Sequence, residues 1–155
     1  MRKLAAIIAM LICISALASC GTQNMVETES DATEIAAILN ESVHFTEELT
    51  EISADVLLRR YGLDSDIVEA AAGYAGTPAV VDEIAVIKTT DVDTVSDAAN
   101  ARIESQKINY ASYAPGEVPK LEDAVIETLG DCVVVCVSED PSATVLDILS
   151  AIAEN

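Results

Sequence analysis

The chain has 155 residues, 27 of them acidic and 8 basic, for a formal net charge of −19. That charge disfavours nucleic acid and anionic lipid headgroups as partners. There is no Trp and only one Phe and four Tyr, so the stacking platforms of carbohydrate-binding modules are poorly supplied.

Arg2 and Lys3 open the chain, and Leu4 to Ala16 is an unbroken run of apolar and small residues. The run has the length of a secretory leader and is short for a membrane span. It ends in Leu17-Ala18-Ser19-Cys20-Gly21, which reads as a lipobox: a small-residue cleavage site before the cysteine that receives a lipid. Residues 1–19 are then a lipoprotein signal peptide, and Cys20 is the lipidation site. Residues 20–30 turn polar at once and read as the lipidated cysteine and a flexible spacer, reaching about 30 Å if extended at about 3.5 Å per residue.

Residues 31–155 read as one α+β domain. Asp31-Ala-Thr-Glu34 has the form of a capping box that opens a helix, with Ile35, Ile38, Leu39 and Val43 as its apolar stripe. A second helix is predicted over Ser53–Tyr61. Arg59 and Arg60 fall in its last turn and Gly62 stops it. Residues 66–74 are open between strand and helix; the brevity of the run Ile67–Ala72, and Gly73 and Gly76 after it, favour strand. Glu83–Lys88 is a strand with apolar residues on both faces at its centre.

Val92–Tyr113 is the longest predicted helix, with Val92, Val95, Ala99, Ile103, Gln106 and Tyr110 in its repeat. Pro115-Gly116 ends it, and Pro119 marks a further loop. Ala124–Leu129 and Cys132–Ser138 form a hairpin across the two-residue turn Gly130-Asp131. A last helix starts at Pro141, with Val145, Leu146, Ile148 and Leu149 to pack. The expected architecture is a small antiparallel-rich sheet of three or four strands with helices mainly packed on one face.

Chemistry-bearing patterns are sparse. His44 is the single histidine, and no nucleophile turn accompanies it, so no catalytic residue is expected. Nor does it come with a second histidine or an exposed cysteine pair for a metal. The Asp64/Asp66 and Asp91/Asp93 pairs lack the further ligands of a calcium loop and sit where turns and caps need Asp. No glycine trio opens a helix, so no nucleotide cofactor is expected. Cys132 and Cys136, four apart in a strand, lie about 13 Å apart. They cannot bond to each other and read as buried thiols.

The densest hydrogen-bonding group is Arg102, Gln106, Tyr110 and Tyr113. The first three are four apart and share a helix face. They form either a polar notch for an anionic group or a peptide, or an internal set in which Arg102 pairs with a carboxylate and the tyrosines pack on the core. The second reading is the simpler in so acidic a chain.

The stretches Leu57-Leu-Arg-Arg-Tyr-Gly-Leu-Asp64, Asp82-Glu-Ile-Ala-Val-Ile-Lys88, Arg102-Ile-Glu-Ser-Gln106, Tyr113-Ala-Pro115 and the Gly130 hairpin into Val137 occur in an order and spacing that resembles a known family. It is that of small Gram-positive, clostridia-like lipoproteins carrying a single domain of unknown function. The resemblance implies a lipid-anchored, extracytoplasmic protein at the outer face of the cytoplasmic membrane, and no activity. A non-enzymatic binding or accessory protein of the cell envelope is the preferred expectation. Its partners would be the membrane, through Cys20, and an unknown envelope protein or small ligand. The alternative is a carboxylate-based hydrolase or metal-dependent envelope enzyme, which needs acids converging in one cleft.

Overall fold

A computed structural model describes residues 29–154; the expected signal peptide, the expected lipidation site Cys20 and residues 20–28 of the expected spacer lie outside them, whereas Glu29 and Ser30 already belong to the first helix, so that Asp31 lies within it and does not open it. Helix α1 (Glu29–Ser42) is followed by strand β1 (Thr50–Ile52), helix α2 (Ala54–Tyr61) and strands β2 (Val68–Ala75) and β3 (Glu83–Thr89). Then come helix α3 (Val92–Tyr113), the short helix α4 (Val118–Glu122), the hairpin β4 (Val125–Leu129) and β5 (Cys132–Val137), and helix α5 (Ser142–Ala153).

The five strands form one antiparallel sheet in the order β1-β2-β3-β5-β4. Its centre is β3 beside β5, with Glu83 opposite Val137 and Lys88 opposite Cys132. Every residue of both strands is buried. A strand apolar on two faces needs cover on two faces, and the molecule supplies it. On one side α1 and α5 set Ile35, Leu39, Val145 and Leu149 against Ile84, Val86 and Val134. On the other, α2, α3 and α4 set Leu57, Val95, Ile103 and Leu121 against Ala85, Ile87, Val133 and Val135. Full burial of one such side chain is worth about 1.5–3 kcal/mol.

Two expectations are corrected here. The sheet has five strands, not three or four, because the three-residue edge strand β1 escapes any periodicity. Helices also cover both faces instead of mainly one, for the reason just given. Residues 66–74 resolve as a 3₁₀ turn (Ser65–Ile67) running into β2. Gly73 faces the sheet centre with no room for a side chain: a Cβ there would lie 2.4 Å from the Ile84 carbonyl oxygen.

Most local signals act as their chemistry requires. Gly62 ends α2 in the left-handed region at φ 65°. Asp91 caps α3 by accepting the Thr94 N–H at 3.1 Å, and α3 has the bounds its repeat predicts. Gly130 takes φ 61° in the hairpin turn. Pro119 is an exception: it sits in the first turn of α4 rather than in a loop, a position where its fixed φ suits a helix and its missing N–H costs nothing.

The sheet has two distinct ends. Glu34 and Ile35 of α1 face the same apolar groove, of about 990 Å³, as the hairpin turn at Gly130. At its other end α1 leads to His44, whose N–H donates to Asp140 (2.9 Å) and whose carbonyl accepts the Glu139 N–H (3.0 Å). Glu139 and Asp140 follow β5, beside the start of β3. The first residues of α1 thus lie at the hairpin end, and the loops before β3 lie at the opposite end.

Candidate functional site

The sequence turns abruptly from Asp82-Glu83 to an apolar run, and β3 starts there. Both acidic side chains are almost wholly buried, so each needs cationic or hydrogen-bonding partners. The fold supplies them from four elements.

Glu83 faces α2 and α3. Its Oε1 accepts the Tyr61 hydroxyl at 2.7 Å and Arg102 Nε at 2.9 Å. Its Oε2 accepts Arg60 Nη1 at 2.9 Å and Arg102 Nη2. Four donors occupy the four lone-pair positions of one carboxylate. The Arg102 guanidinium also lies over the Tyr61 ring, 5.1 Å from its centroid, a cation–π contact strengthened by desolvation. Burial, and then the Glu83 charge, push the Tyr61 phenol well above its ordinary value. Burial pulls the Arg102 guanidinium down, but the bonds and charge of Glu83 outweigh it and the net shift is upward.

Asp82 is engaged from the loops. Its Oδ2 accepts the Thr46 N–H at 2.7 Å and its Oδ1 lies 3.0 Å from Lys120 Nζ. The same ammonium reaches Glu117 at 3.0 Å, Glu139 at 2.8 Å and the Thr46 hydroxyl. Burial opposes the Lys120 charge, but its bonds to Glu139, Asp82 and Glu117 hold the net shift upward. One lysine on α4 therefore ties the loops at Thr46 and Glu139, and its own helix start at Glu117, to the head of β3.

The four residues picked from sequence divide. Arg102 pairs internally, as the structural reading expects. The Tyr110 hydroxyl is shared between the carbonyls of Val80 (2.8 Å) and Pro78 (3.2 Å), so it pins the 76–82 loop. Tyr113 is 60% exposed and rests on the Tyr110 ring, centroids 4.7 Å apart; only its neighbour packs on the core. Gln106 lies in the buried row of α3, between Ile103 and Tyr110. Its Oε1 is enclosed and has no hydrogen-bond partner. Arg60, Arg102, Glu83, Gln106 and Tyr110 line one notch of about 210 Å³ beneath the 76–82 loop.

Arg60, Tyr61, Asp82, Glu83 and Lys120 were not singled out from sequence. A signal was present: two adjacent acids immediately before the apolar run Ile84–Ile87, in a chain with 8 basic residues. The remaining candidates keep structural places. The His44 side chain is 84% exposed and sits 3.1 Å from Asp140. Cys132 and Cys136 are buried in β5. Lys88, buried in β3, lies 3.5 Å from both Glu69 and Asp131. Among the described residues no cluster of three His, Cys, Asp or Glu side chains is arranged to hold a metal.

Residues 41–138 match the family model of a domain of unknown function, DUF4358, and the chain belongs to that family. The match spans the whole sheet and every residue of the notch; it leaves out α5 and nearly all of α1. No curated protein and no solved structure matches the chain.

Proposed function

We infer that the chain is a lipid-anchored, extracytoplasmic binding or accessory protein of the cell envelope, of the small Gram-positive lipoprotein type, and not an enzyme. Anchoring rests on the Leu17–Cys20 lipobox and the apolar run before it. Among the described residues no helix is long and apolar enough to cross a membrane. A covalent lipid is then the means of attachment at the outer face of the cytoplasmic membrane, and two or more acyl chains hold stably where one does not.

The observation that carries the non-enzymatic reading is the state of Glu83. Its four acceptor positions are filled by two arginines and a tyrosine, so it has no lone pair free to take a substrate proton. One feature favours a carboxylate-based hydrolase: Asp82, Glu117 and Glu139 converge from three segments. The Lys120 ammonium lies within 3.0 Å of each, in the place a metal or an attacking water needs.

On this reading the anchor would also give the protein a direction. Cys20 precedes the start of α1 at Glu29 by nine residues, a reach of about 30 Å at most. The start of α1 lies at the hairpin end of the sheet. The hairpin end then faces the membrane, and the notch and its loops face outward.

The test is Cys20→Ser in the full chain, followed by membrane fractionation and mass spectrometry of the amino terminus. The expected result is loss of the protein from the membrane fraction, or accumulation of the unprocessed precursor. A wild-type chain with an unmodified amino terminus other than Cys20 would overturn the anchoring.

A further inference from the structure

We propose that the apolar groove between α1, α5 and the β4–β5 hairpin docks an amphipathic helix with a basic polar face, contributed by a partner protein. The inference rests on the binding reading above and names its partner class; it does not depend on the anchor.

The side chains that wall the groove leave it open. α1 runs from the hairpin end to His44, and α5 starts just after Asp140, the partner of His44, and returns to the hairpin end. The two helices are therefore antiparallel walls over one face of the sheet. Near its end α5 offers Ala151 and Ala153 to the gap, and these are too small to close it against Ile35 and Ile38 of α1. Leu129 and Cys132 lie beneath. Ile38, Leu129, Ile148 and Ile152 are left half-buried along the groove. The α1 wall from Glu34 to Ser42 is about 12 Å long at 1.5 Å per residue. That matches about two turns of a helix, whose apolar stripe is the usual occupant of such a groove.

Charge selects the partner. The six basic residues among those described lie in α2, α3, α4 and β3. The elements that wall the groove, α1, α5, β4 and β5, carry none. Lys88 is the basic side chain of β3 that faces this side, opposite Cys132, and its charge is held between Glu69 and Asp131 at 3.5 Å each.

The acids, by contrast, follow the groove. Glu34 lines it, and Glu41 stands seven residues on along the same face of α1. Asp147 and Glu154 flank Ala151 on α5, four residues before it and three after. Glu127 shares a face of β4 with Leu129, which lines the groove. All five acids are exposed. An apolar floor with an acidic rim is complementary to a helix that carries an apolar stripe between lysines or arginines. An acidic helix would meet repulsion along both walls.

The test is fluorescence anisotropy of the purified full chain with three labelled synthetic peptides. One is a Leu/Lys peptide with its leucines at helical spacing, one a Leu/Glu peptide of the same pattern, and one a scrambled Leu/Lys peptide. Saturable binding of the first is expected, about tenfold or more tighter than the scramble, with none of the Leu/Glu peptide. Glu34→Lys with Asp147→Lys, both at exposed positions, should fold and weaken the Leu/Lys peptide about tenfold. Ala153→Trp, also exposed, fills the groove and is expected to abolish binding with the melting temperature unchanged. Equal binding of the scramble, or binding indifferent to Ala153→Trp, would reduce the effect to the charge of an acidic chain and overturn the proposal. No saturable binding overturns the partner class. A chain that dimerises in sedimentation, and loses the dimer with Ala153→Trp, puts a second copy in the groove and overturns it as well. None of these outcomes bears on the anchor, which membrane fractionation reads separately.

Discussion

Arg102 and Glu83, nineteen residues apart in sequence, meet through two parallel N–H···O bonds on the two oxygens of one buried carboxylate. The pair joins the middle of α3 to the first residue of β3, and Arg60 and Tyr61 join α2 to the same carboxylate. Removing the two partners therefore has unequal consequences. Arg102→Ala leaves Glu83 with Arg60 and Tyr61, and should lower stability by about 1–3 kcal/mol. Glu83→Ala leaves two guanidinium groups facing each other without a counter-charge, and should cost about 3–5 kcal/mol. Urea denaturation of both variants checks the order; equal effects, or none from Arg102→Ala, would show that the pair does not hold the helices to the sheet.

Acidification should weaken contacts at both ends of the sheet. The backbone N–H of His44 holds the Asp140 carboxyl below its usual range. The Lys120 ammonium does the same to Glu139, and the Thr94 N–H to Asp91 at the α3 cap. A carboxyl lowered in the folded state stabilises above the unfolded value of about 4. That contribution is lost as pH falls through the folded-state value. Asp140→Asn should therefore melt below wild type at neutral pH, by at most about 1 kcal/mol for a group so near the surface. The two should converge as pH drops to about 2. A gap that stays constant across the range would refute the assignment.

The thiols of β5 should be silent in the folded protein. Cys132 and Cys136 are each 1% exposed, and burial pushes the Cys136 thiol up to about 12, leaving little thiolate to react. Alkylation of the native chain should proceed only as fast as it unfolds, and peptide mapping should find no bridge between the two. Rapid labelling without denaturant would contradict their burial.

Gly73→Ala tests the closeness of α2 to the sheet. The added methyl would meet the Ile84 carbonyl oxygen at 2.4 Å and the Leu57 methyls at 3.1 and 3.2 Å. Backbone cannot yield as a flexible side chain can, so β2 must move. A loss of about 1–3 kcal/mol is expected by thermal melting; an unchanged midpoint would mean that the strand accommodates the methyl.

Local chemistry was readable along the chain, and distant pairing was not. The bounds of α3 follow from the Asp91 cap and the repeat that ends before Pro115, all within one stretch of sequence. The Gly130 turn and the Gly62 cap are set by backbone conformations that suit glycine. The choice of Glu83 as the partner of Arg102 depends on how α3 lies across β3, which no periodicity encodes. The sequence reading named an internal carboxylate without being able to say which. The strand β1 was missed because three residues carry no pattern. The two-sided helix cover follows from the apolar run in β3, whose two faces both need burying. Gln106 stood in the apolar repeat from the outset; that its oxygen goes unpaired is visible only once the sheet closes beneath it.

The order β1-β2-β3-β5-β4 leaves two strands with a free side, and both are poor templates for further strands. β1 is three residues long and carries exposed Glu51. β4 carries exposed Glu127 and Thr128. A short edge and a charged edge both discourage a second chain from adding on. Copies crowded side by side on one surface should then stay separate, because the most aggregation-prone segment, the valine run of β5, is closed off by a neighbour on each side.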